Sequence, residues 1–416
     1  MSNINFFRVL QSGGVGGVPE EQLSFTYTTS TTSTIDPLGY ILNNINWTTS
    51  GGLVSSGTGN NIPYASNTGN AFTTVKADYI STSYISINGD SISSIDVSDL
   101  GNLLYKLYVQ TNQLTSLDVT SNTNLFELSC GTNSLTSLDV SQNTALDVLG
   151  FYKNNLTSID LQYNTALTRL ICWENSLTSL DVSNNTGLTQ LWCDDNQLTS
   201  LDVDVNTSLG TFQCSENSLT SLDVTNNTNL YDLKCDENSL TSLDVQYNTL
   251  LEILYCNENS ITSLDVSNNT LLEIFNCRGN SLTSLDVSNN TLLEILLCNL
   301  NSITSLDVQY NTALISLICL GNQLTSLDVQ YNTTLTTLKC SSNSLTSLDV
   351  SNNTALRYLF CNSNQLTTNV IDNIFSDLAA GSVSNGNLTI DADRSIPGSD
   401  ADKATLVGRG WTITEL

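Results

Sequence analysis

The chain has 416 residues, with 40 Asp or Glu against 12 Lys or Arg, and its net charge is -28 without a single His. Nucleic acids and anionic membranes are poor partners for such a chain, because both attract proteins that carry basic surfaces. No apolar run approaches the roughly 18 residues of a membrane-spanning helix, so membrane insertion is not expected. The first ten residues lack the basic start and long apolar stretch of a secretory signal, which predicts folding in a reducing cytosol.

Residues 1–24 are predicted to form an extended anchoring arm. Phe6, Phe7, Val9 and Leu10 make a small apolar cluster, and the Gly-rich stretch at 11–19 that follows cannot fold by itself. We expect this cluster to dock on another subunit of a larger assembly. The alternative is that the arm folds back onto its own domain.

Residues 25–91 are rich in Thr, Ser, Asn and Gly and contain β-like stretches at 23–28, 72–75 and 84–87. We expect a small β-rich N-terminal domain that also caps the first repeat, because the end coil of a repeat protein would otherwise expose its core.

Residues 92–366 contain a 21-residue unit that recurs twelve times without a slip. Its anchor is the Asp of a Leu-Thr-Ser-Leu-Asp-Val phrase, from Asp118 to Asp349, and a looser first copy has Asp96. Each unit holds two phrases, Leu-x-x-Leu-x-Cys-x-x-Asn and Leu-x-x-Leu-Asp-Val-x-x-Asn. Their period-two spacing predicts a short strand in each phrase. The closing Asn of each phrase is expected to hydrogen-bond the backbone of its own and neighbouring coils.

A fixed period of this length with regular Leu predicts a leucine-rich-repeat solenoid, mostly β, of about 13 coils with parallel strands. The nested 10-plus-11 pattern resembles the bacterial leucine-rich repeats called the IRREKO class, over about Ile92 to Leu366. That resemblance implies the fold but little about function, because such repeats occur in proteins of many roles. The C-terminal segment resembles tails on repeat proteins encoded by bacteria and their phages.

All eleven Cys, from Cys130 to Cys361, occupy one inward slot of the first strand, where Val109 and Phe151 stand in the two remaining coils. The apolar substitutes predict a ladder of buried thiols that act as small hydrophobic residues. A single line of Cys cannot supply the four converging ligands of a zinc site. Disulfides are not expected, because the number of Cys is odd and a reducing compartment is predicted.

Residues 367–416 are predicted to form a small α/β cap. An apolar stripe from Val370 to Leu378 predicts a helix, with Asn369 as its N-cap and Gly381 at its end. A strand at 388–390, a second short helix from Ser399 and a last strand after residue 410 complete the cap.

The outward positions of the first strand vary strongly between coils, whereas the second phrase hardly changes. Several varying side chains are large or aromatic, and aromatic residues dominate the energetics of interfaces. The varying strand is therefore predicted to bind a ligand, either sugar rings or a protein surface, although strands also favour aromatic residues for their own sake. The predicted face consists of Tyr108, Tyr152, Ile171, Trp173, Trp192, Asp194, Lys234, Tyr255, Arg278 and Phe360.

Five consecutive coils place a carboxylate at one further position of the repeat. Stacked carboxylates repel one another or recruit a cation, and oxygen ligands suit Ca²⁺. Calcium is the one cofactor that this pattern suggests, and the alternative is a row of solvated charges that binds no cation. The row consists of Glu174, Asp195, Glu216, Glu237 and Glu258.

An enzyme is not expected, because the chain has no His and no P-loop, nucleophile elbow or zinc spacing. We expect a recognition or adhesion protein on a phage virion, made in the host cytoplasm, such as a fibre, spike or decoration protein. Its partners would be other virion subunits, through the arm, and a host-surface glycan or protein. The alternatives are a bacterial surface or secreted adhesin and a purely structural decoration protein.

Overall fold

The computed structural model describes residues 23–29, 45–50, 57–58, 71–77, 84–86, 88, 92–391 and 399–416. The anchoring cluster of Phe6, Phe7, Val9 and Leu10 lies outside the described residues. Within them, no helix is long and apolar enough to cross a membrane.

The N-terminal part of the chain contains an antiparallel sheet of five strands in the order β3-β2-β4-β1-β6. The β-like stretches found in the sequence at 23–28 and 72–75 are strands of this sheet, and β1 starts inside the segment predicted as the arm. Its strands are β1 (Leu23–Thr29), β2 (Ile45–Ser50), β3 (Gly57–Thr58), β4 (Ala71–Ala77) and β6 (Ile92–Asp96). A 3-10 helix, Ser98–Leu103, then leads into the repeats.

A second sheet of sixteen parallel strands runs through the repeats, as predicted for a leucine-rich-repeat solenoid. It begins with β5 (Tyr84–Ser86), before the predicted start of the solenoid at 92, because β5 pairs with the first repeat strand. Thirteen three-residue strands follow at intervals of 21 residues: β7 (Lys106–Tyr108), β8 (Glu127–Ser129), β9 (Val148–Gly150), β10 (Arg169–Ile171), β11 (Gln190–Trp192), β12 (Thr211–Gln213), β13 (Asp232–Lys234), β14 (Ile253–Tyr255), β15 (Ile274–Asn276), β16 (Ile295–Leu297), β17 (Ser316–Ile318), β18 (Thr337–Lys339) and β19 (Tyr358–Phe360).

From Asp118 onward the second phrase does not form the predicted strand, whereas in the looser first copy it forms β6 (Ile92–Asp96) of the N-terminal sheet. Outside the named strands, the only bridge among the described residues joins Asp118 to Asp139. The recurring Asp of the phrase instead closes a local turn: in one coil the backbone N–H of Ser183 donates to Asp181 Oδ1 at 2.9 Å. Such side-chain turns offer the backbone an alternative to strand pairing, so the chain bends where the period-two pattern predicted extension.

The core is a line of apolar side chains enclosed by the coils, because each coil packs on its two neighbours. The predicted thiol ladder is confirmed: all eleven Cys are free and buried. Val109 and Phe151 fill the same slot and are equally buried. Burial raises the pKa of the Cys130 thiol to about 12.

Two ladders of Asn hold the coils together, as predicted. In the first ladder, Asn154 Nδ2 donates to the carbonyl oxygens of Phe151 in its own coil (2.9 Å) and Cys130 in the previous coil (3.1 Å). Asn154 Oδ1 also accepts the backbone N–H of Leu135 at 2.9 Å. In the second ladder, Asn143 Nδ2 donates to two carbonyl oxygens of the preceding coil at 2.8–2.9 Å. The bonds satisfy backbone groups that would otherwise be buried unpaired at every turn.

The C-terminal cap continues the sheet and covers the last coil. It consists of α1 (Thr368–Ala380), β20 (Asn387–Ile390), α2 (Ser399–Gly408) and β21 (Thr412–Glu415), with β20 on β19 and β21 on β20. The predicted apolar stripe is buried and Gly381 ends α1. Asn369 is not its N-cap: it lies inside the helix, and Thr367 caps it without a side-chain hydrogen bond.

Candidate recognition face

The repeat strands place three rows of side chains on one surface, here called the front face. In β13, Leu233 points into the core while Asp232 and Lys234 flank it outward, and the same alternation recurs in nearly every repeat strand. The next residue with this orientation is the one after the Cys slot. The front face therefore consists of the first row (Lys106 to Tyr358), the second row (Tyr108 to Phe360) and the third row (Gln110 to Asn362), one residue from each coil.

Three of the predicted aromatic residues, Tyr152, Trp173 and Trp192, lie together at β9–β11 of the front face. The rings of Tyr152 and Trp173, in adjacent coils, stack with centroids 4.8 Å apart and planes 10° apart. Trp192 lies beside Ile171 in the strand register. All four side chains are half-buried rather than fully exposed as expected, because neighbouring coils bring them to stacking distance. Gly131 makes room for the cluster, since a Cβ there would lie 2.5 Å from the Tyr152 ring.

Three lysines, two on the front face and Lys153 in the turn beside it, each lie over an aromatic ring of the following coil. Lys153 Nζ lies 5.0 Å from the Trp173 centroid, Lys234 Nζ 5.7 Å from Tyr255, and Lys339 Nζ 5.0 Å from Phe360. These are distances at which a cation is attracted to the face of a ring. Each contact covers a face of one of these rings with a cation of the protein itself, so that face is not open to a ligand.

A polar group lies directly beside the aromatic cluster, in the third row. Ser215 connects two carboxylates: its backbone N–H donates to Asp194 Oδ1 at 3.1 Å, and its hydroxyl donates to Asp236 Oδ1 at 2.6 Å. Burial raises the pKa of Asp194 to about 6, and the nearby charge of Asp236 acts in the same direction. The front face therefore holds a carboxyl group whose pKa is raised well above the ordinary value for Asp.

The first row, which the sequence analysis did not single out, supplies further polar atoms at this place. Thr211 Oγ1 and Asp232 Oδ1 of this row, and Trp192 Nε1 of the second row, are buried and have no hydrogen-bond partner among the described residues. The other carboxylate oxygen of Asp232 lies 3.9 Å from Lys234 Nζ. Thr211 and Asp232 are register partners on β12 and β13, next to the strand of Trp192. Buried polar atoms are nearly always paired, so this group favours a polar ligand or ordered water. The row varies between coils as strongly as the other two, and its period-two spacing could have placed it on the same face.

The other predicted residues lie far along the rod and do not form one site. Tyr108 and Phe360 are twelve strands apart, roughly 58 Å at about 4.8 Å per strand. Arg278 belongs to a different contact, because its guanidinium pairs with Glu258 at 3.2 Å. The residues that the structure brings together are Tyr152, Ile171, Trp173, Trp192, Asp194 and, two coils on, Lys234.

The acidic row occupies the turn that follows each front-face strand. Its five members have φ between 49° and 52°, a left-handed conformation that directs each carboxylate along the same edge. Glu174 pairs with Lys153 at 3.0 Å at one end, and Glu258 pairs with Arg278 at the other. The pKa of Glu216, in the middle, is raised by burial and by Glu237 and Asp195.

The acidic row places one carboxylate on each coil, so its members form a line. In the part of the chain that the structure describes, no group of three or more His, Cys, Asp or Glu is arranged to hold a metal ion. Calcium binding by this row therefore stays a prediction from sequence alone.

No family model and no curated protein matches the chain. Among solved structures, the chain is similar to the functional domain of InlJ from Listeria monocytogenes, which includes a cysteine ladder: identity is 35%, 74% of each chain is covered and the TM-score is 0.68. An internalin, InlF, from the same organism is 25% identical over 69% of this chain and 87% of its own, with a TM-score of 0.60. A leucine-rich-repeat protein from Leptospira interrogans shares the fold at 22% identity, with 80% of this chain and 95% of its own covered and a TM-score of 0.64.

The InlJ domain includes a cysteine ladder, and this chain likewise has a ladder of eleven buried Cys. Together with the 21-residue period and the two Asn ladders, this similarity identifies the family to which the chain belongs. This protein belongs to the leucine-rich-repeat family that includes the cysteine-ladder domain of InlJ.

Proposed function

We propose that this chain is a non-enzymatic recognition protein that binds a protein on the surface of another cell through its front face. The observation that carries the proposal is the aromatic and polar group at β9–β13. It combines half-buried rings with buried polar atoms that have no hydrogen-bond partner in the described part of the chain, on one continuous sheet. Apolar surface with a few convergent polar groups is the usual composition of a binding site.

A protein ligand is favoured over a glycan by the orientation of the rings. Sugars bind by stacking on the faces of aromatic rings, whereas Tyr152 and Trp173 use their faces against each other and Lys153 covers Trp173. Ring edges with neighbouring carboxylates suit the side chains of a protein surface. A host-surface glycan is the second candidate, and the unpaired atoms of Trp192, Thr211 and Asp232 favour it.

The ligand class can be tested with the purified, fluorescently labelled chain and a panel of intact cells. We expect binding that is lost when the cells are first treated with protease and survives periodate oxidation of their glycans. Loss of binding after periodate treatment alone would instead identify the ligand as a glycan. Absence of binding to every cell type would favour a structural decoration protein.

The location of the protein is a separate proposal. A virion component anchored by Phe6, Phe7, Val9 and Leu10 is one candidate, and a bacterial surface or secreted adhesin is the other. Similarity to two Listeria proteins favours the second. Replacing Phe6 and Phe7 by Ser distinguishes them: an anchored subunit should fail to enter its particle while keeping its circular dichroism spectrum, and an adhesin should bind cells as before.

A further inference from the structure

A second surface lies on the edge of the solenoid, at the turn that precedes the front-face strands. Three consecutive coils repeat the phrase Thr-Leu-Leu-Glu-Ile, starting at Thr249, Thr270 and Thr291. We call the resulting surface the leucine edge. It consists of Leu250, Leu271, Leu292, Glu252, Glu273 and Glu294.

The leucine edge is exposed although half of it is apolar. Leu250, Leu271 and Leu292 have exposed fractions of 45%, 37% and 46%. In each coil a fully buried Leu separates the exposed Leu from the exposed Glu, so both point away from the core on the same side. Backbone bonds of 2.9 Å from Glu273 N to Glu252 O and from Glu294 N to Glu273 O keep the three coils in register.

Most other coils do not use Leu at this position. The first coil has Leu103, far along the rod from these three, and the remaining coils have Asn124, Ala145, Ala166, Gly187, Ser208, Asn229, Ala313, Thr334 and Ala355. The position therefore accepts small and polar residues without loss of the fold, and the three Leu are not required by packing. A soluble chain rarely exposes a contiguous row of large apolar side chains unless the row contacts something.

The charge beside the three Leu indicates the chemistry of that contact. None of Glu252, Glu273 and Glu294 forms an ion pair with a described residue, whereas the ends of the acidic row are paired. Three unpaired carboxylates beside three exposed Leu are complementary to a segment with apolar residues on one side and Lys or Arg next to them. A second copy of this chain is disfavoured as the occupant, because its net charge is -28.

The spacing of the coils indicates the secondary structure of the partner segment. Leu250 and Leu292 are two coils apart, about 10 Å at about 4.8 Å per coil. Two turns of an α-helix advance about 10.8 Å, so a helix lying along the rod could place one apolar residue on each Leu. Equivalent residues of an extended strand repeat at about 6.7 Å and would lose register over the same distance.

We propose that the leucine edge is a docking site for a basic amphipathic helix of a partner protein, oriented along the solenoid axis. The apolar residues of the helix would contact Leu250, Leu271 and Leu292, and its Lys or Arg side chains would pair with the adjacent Glu row. This site is separate from the front face and does not depend on the function proposed for it.

The test uses the full chain and a designed helical peptide of about 18 residues, with Leu at i, i+3 and i+7 and Lys at i+1, i+4 and i+8. We expect saturable binding by fluorescence anisotropy at low ionic strength. Replacing Leu250, Leu271 and Leu292 by Ala should weaken it at least about tenfold, and replacing the three Glu by Gln should weaken it and remove most of its salt dependence. A peptide of the same composition with shuffled Leu and Lys should bind much more weakly.

Leu300→Ala is the matched control, because Leu300 is 45% exposed but lies in the turn after the strand. It should leave peptide binding unchanged, and circular dichroism should show that all variants keep the fold. Equal binding of the designed and shuffled peptides, or equal loss with Leu300→Ala, would overturn the proposal. A concentration-dependent dimer of the chain that is lost when the three Leu are replaced by Ala would also overturn the proposal, because the occupant of the leucine edge would then be a second copy.

Discussion

At the scale of single residues, the thiol ladder shows how one position of the repeat serves only packing. The pKa of Cys235 is raised far above its ordinary value by burial, with a contribution from the Cys of the next coil. Because the thiolate is the reactive form of Cys, these thiols should be inert in the folded protein. The same slot accepts Val109 and Phe151, which confirms that it selects for apolar character rather than for sulfur chemistry.

Replacing Cys235 by Ser should lower the free energy of unfolding by about 1–3 kcal/mol, because a hydroxyl would be buried without an assured partner. Cys235→Ala should cost less, and urea denaturation of the two variants measures the difference. Thiol titration of the native protein provides the check on the assignment. Rapid modification of all eleven Cys without denaturant would show that the ladder does not point inward.

Asp194 should make stability depend on pH in the direction opposite to most paired carboxylates. Its pKa is raised mainly by burial, from 3.8 to about 6. The folded state therefore binds more protons than the unfolded state between about pH 4 and 6, and stability falls as pH rises through this range. The loss should reach about 2–3 kcal/mol at pH 7. Asp194→Asn should remove it, as thermal melts of both proteins from pH 3 to 8 would show; parallel curves would contradict the prediction.

At the scale of structural elements, the repeat strands and the residues just after them carry the proposed binding face, while the second phrase supplies turns. Trp173→Ala together with Trp192→Ala should weaken binding to the target cells more than tenfold, or about 1.4 kcal/mol, because both rings belong to the half-buried cluster. The circular dichroism spectrum should not change.

The matched control for the Trp pair is Thr178→Ala together with Ser179→Ala, on the second phrase of the same coil. Both are exposed and belong to the part of the repeat that hardly varies. Binding should be unaffected. If this pair weakens binding and the Trp pair does not, the ligand uses the opposite surface.

The acidic row should not respond to calcium. Its carboxylates lie one per coil, and its two ends are already paired with Lys153 and Arg278. We therefore expect millimolar Ca²⁺ to leave the melting temperature unchanged. A rise that disappears when Glu174, Glu216 and Glu258 are all replaced by Gln would instead identify a cation site.

At the scale of the whole molecule, stability is close to a sum over coils and their interfaces, because each coil contacts only its neighbours. Deleting residues 274–294 removes one complete unit and should leave a folded, shorter rod with a cooperative melt. Deleting only residues 274–284 should disrupt the fold, because the Leu, Cys and Asn positions of later coils would no longer align with those before. Circular dichroism and thermal melts distinguish the two; equal behaviour would mean that register does not control folding.

Much of the architecture can be predicted from the sequence, because every coil of a solenoid repeats the same pattern of residues. The period of 21 predicts the coil, the alternation around Leu233 predicts which side chains point inward, and the Cys slot predicts the buried thiols. These features depend on neighbours within one coil or on the same residue in the next coil. The similarity of the chain to InlJ and the parallel sheet confirm them.

Other features were decided only by the tertiary structure, because they depend on contacts between positions with different offsets in the repeat. The Asx-type turn at Asp181 prevents a second strand, although the local pattern of apolar residues is the same as in the first. The stack of Tyr152 on Trp173 and the bonds of Ser215 to Asp194 and Asp236 require side-chain geometry. Periodicity predicts that such residues share a face, but only packing between coils determines which of them touch and which remain free for a ligand.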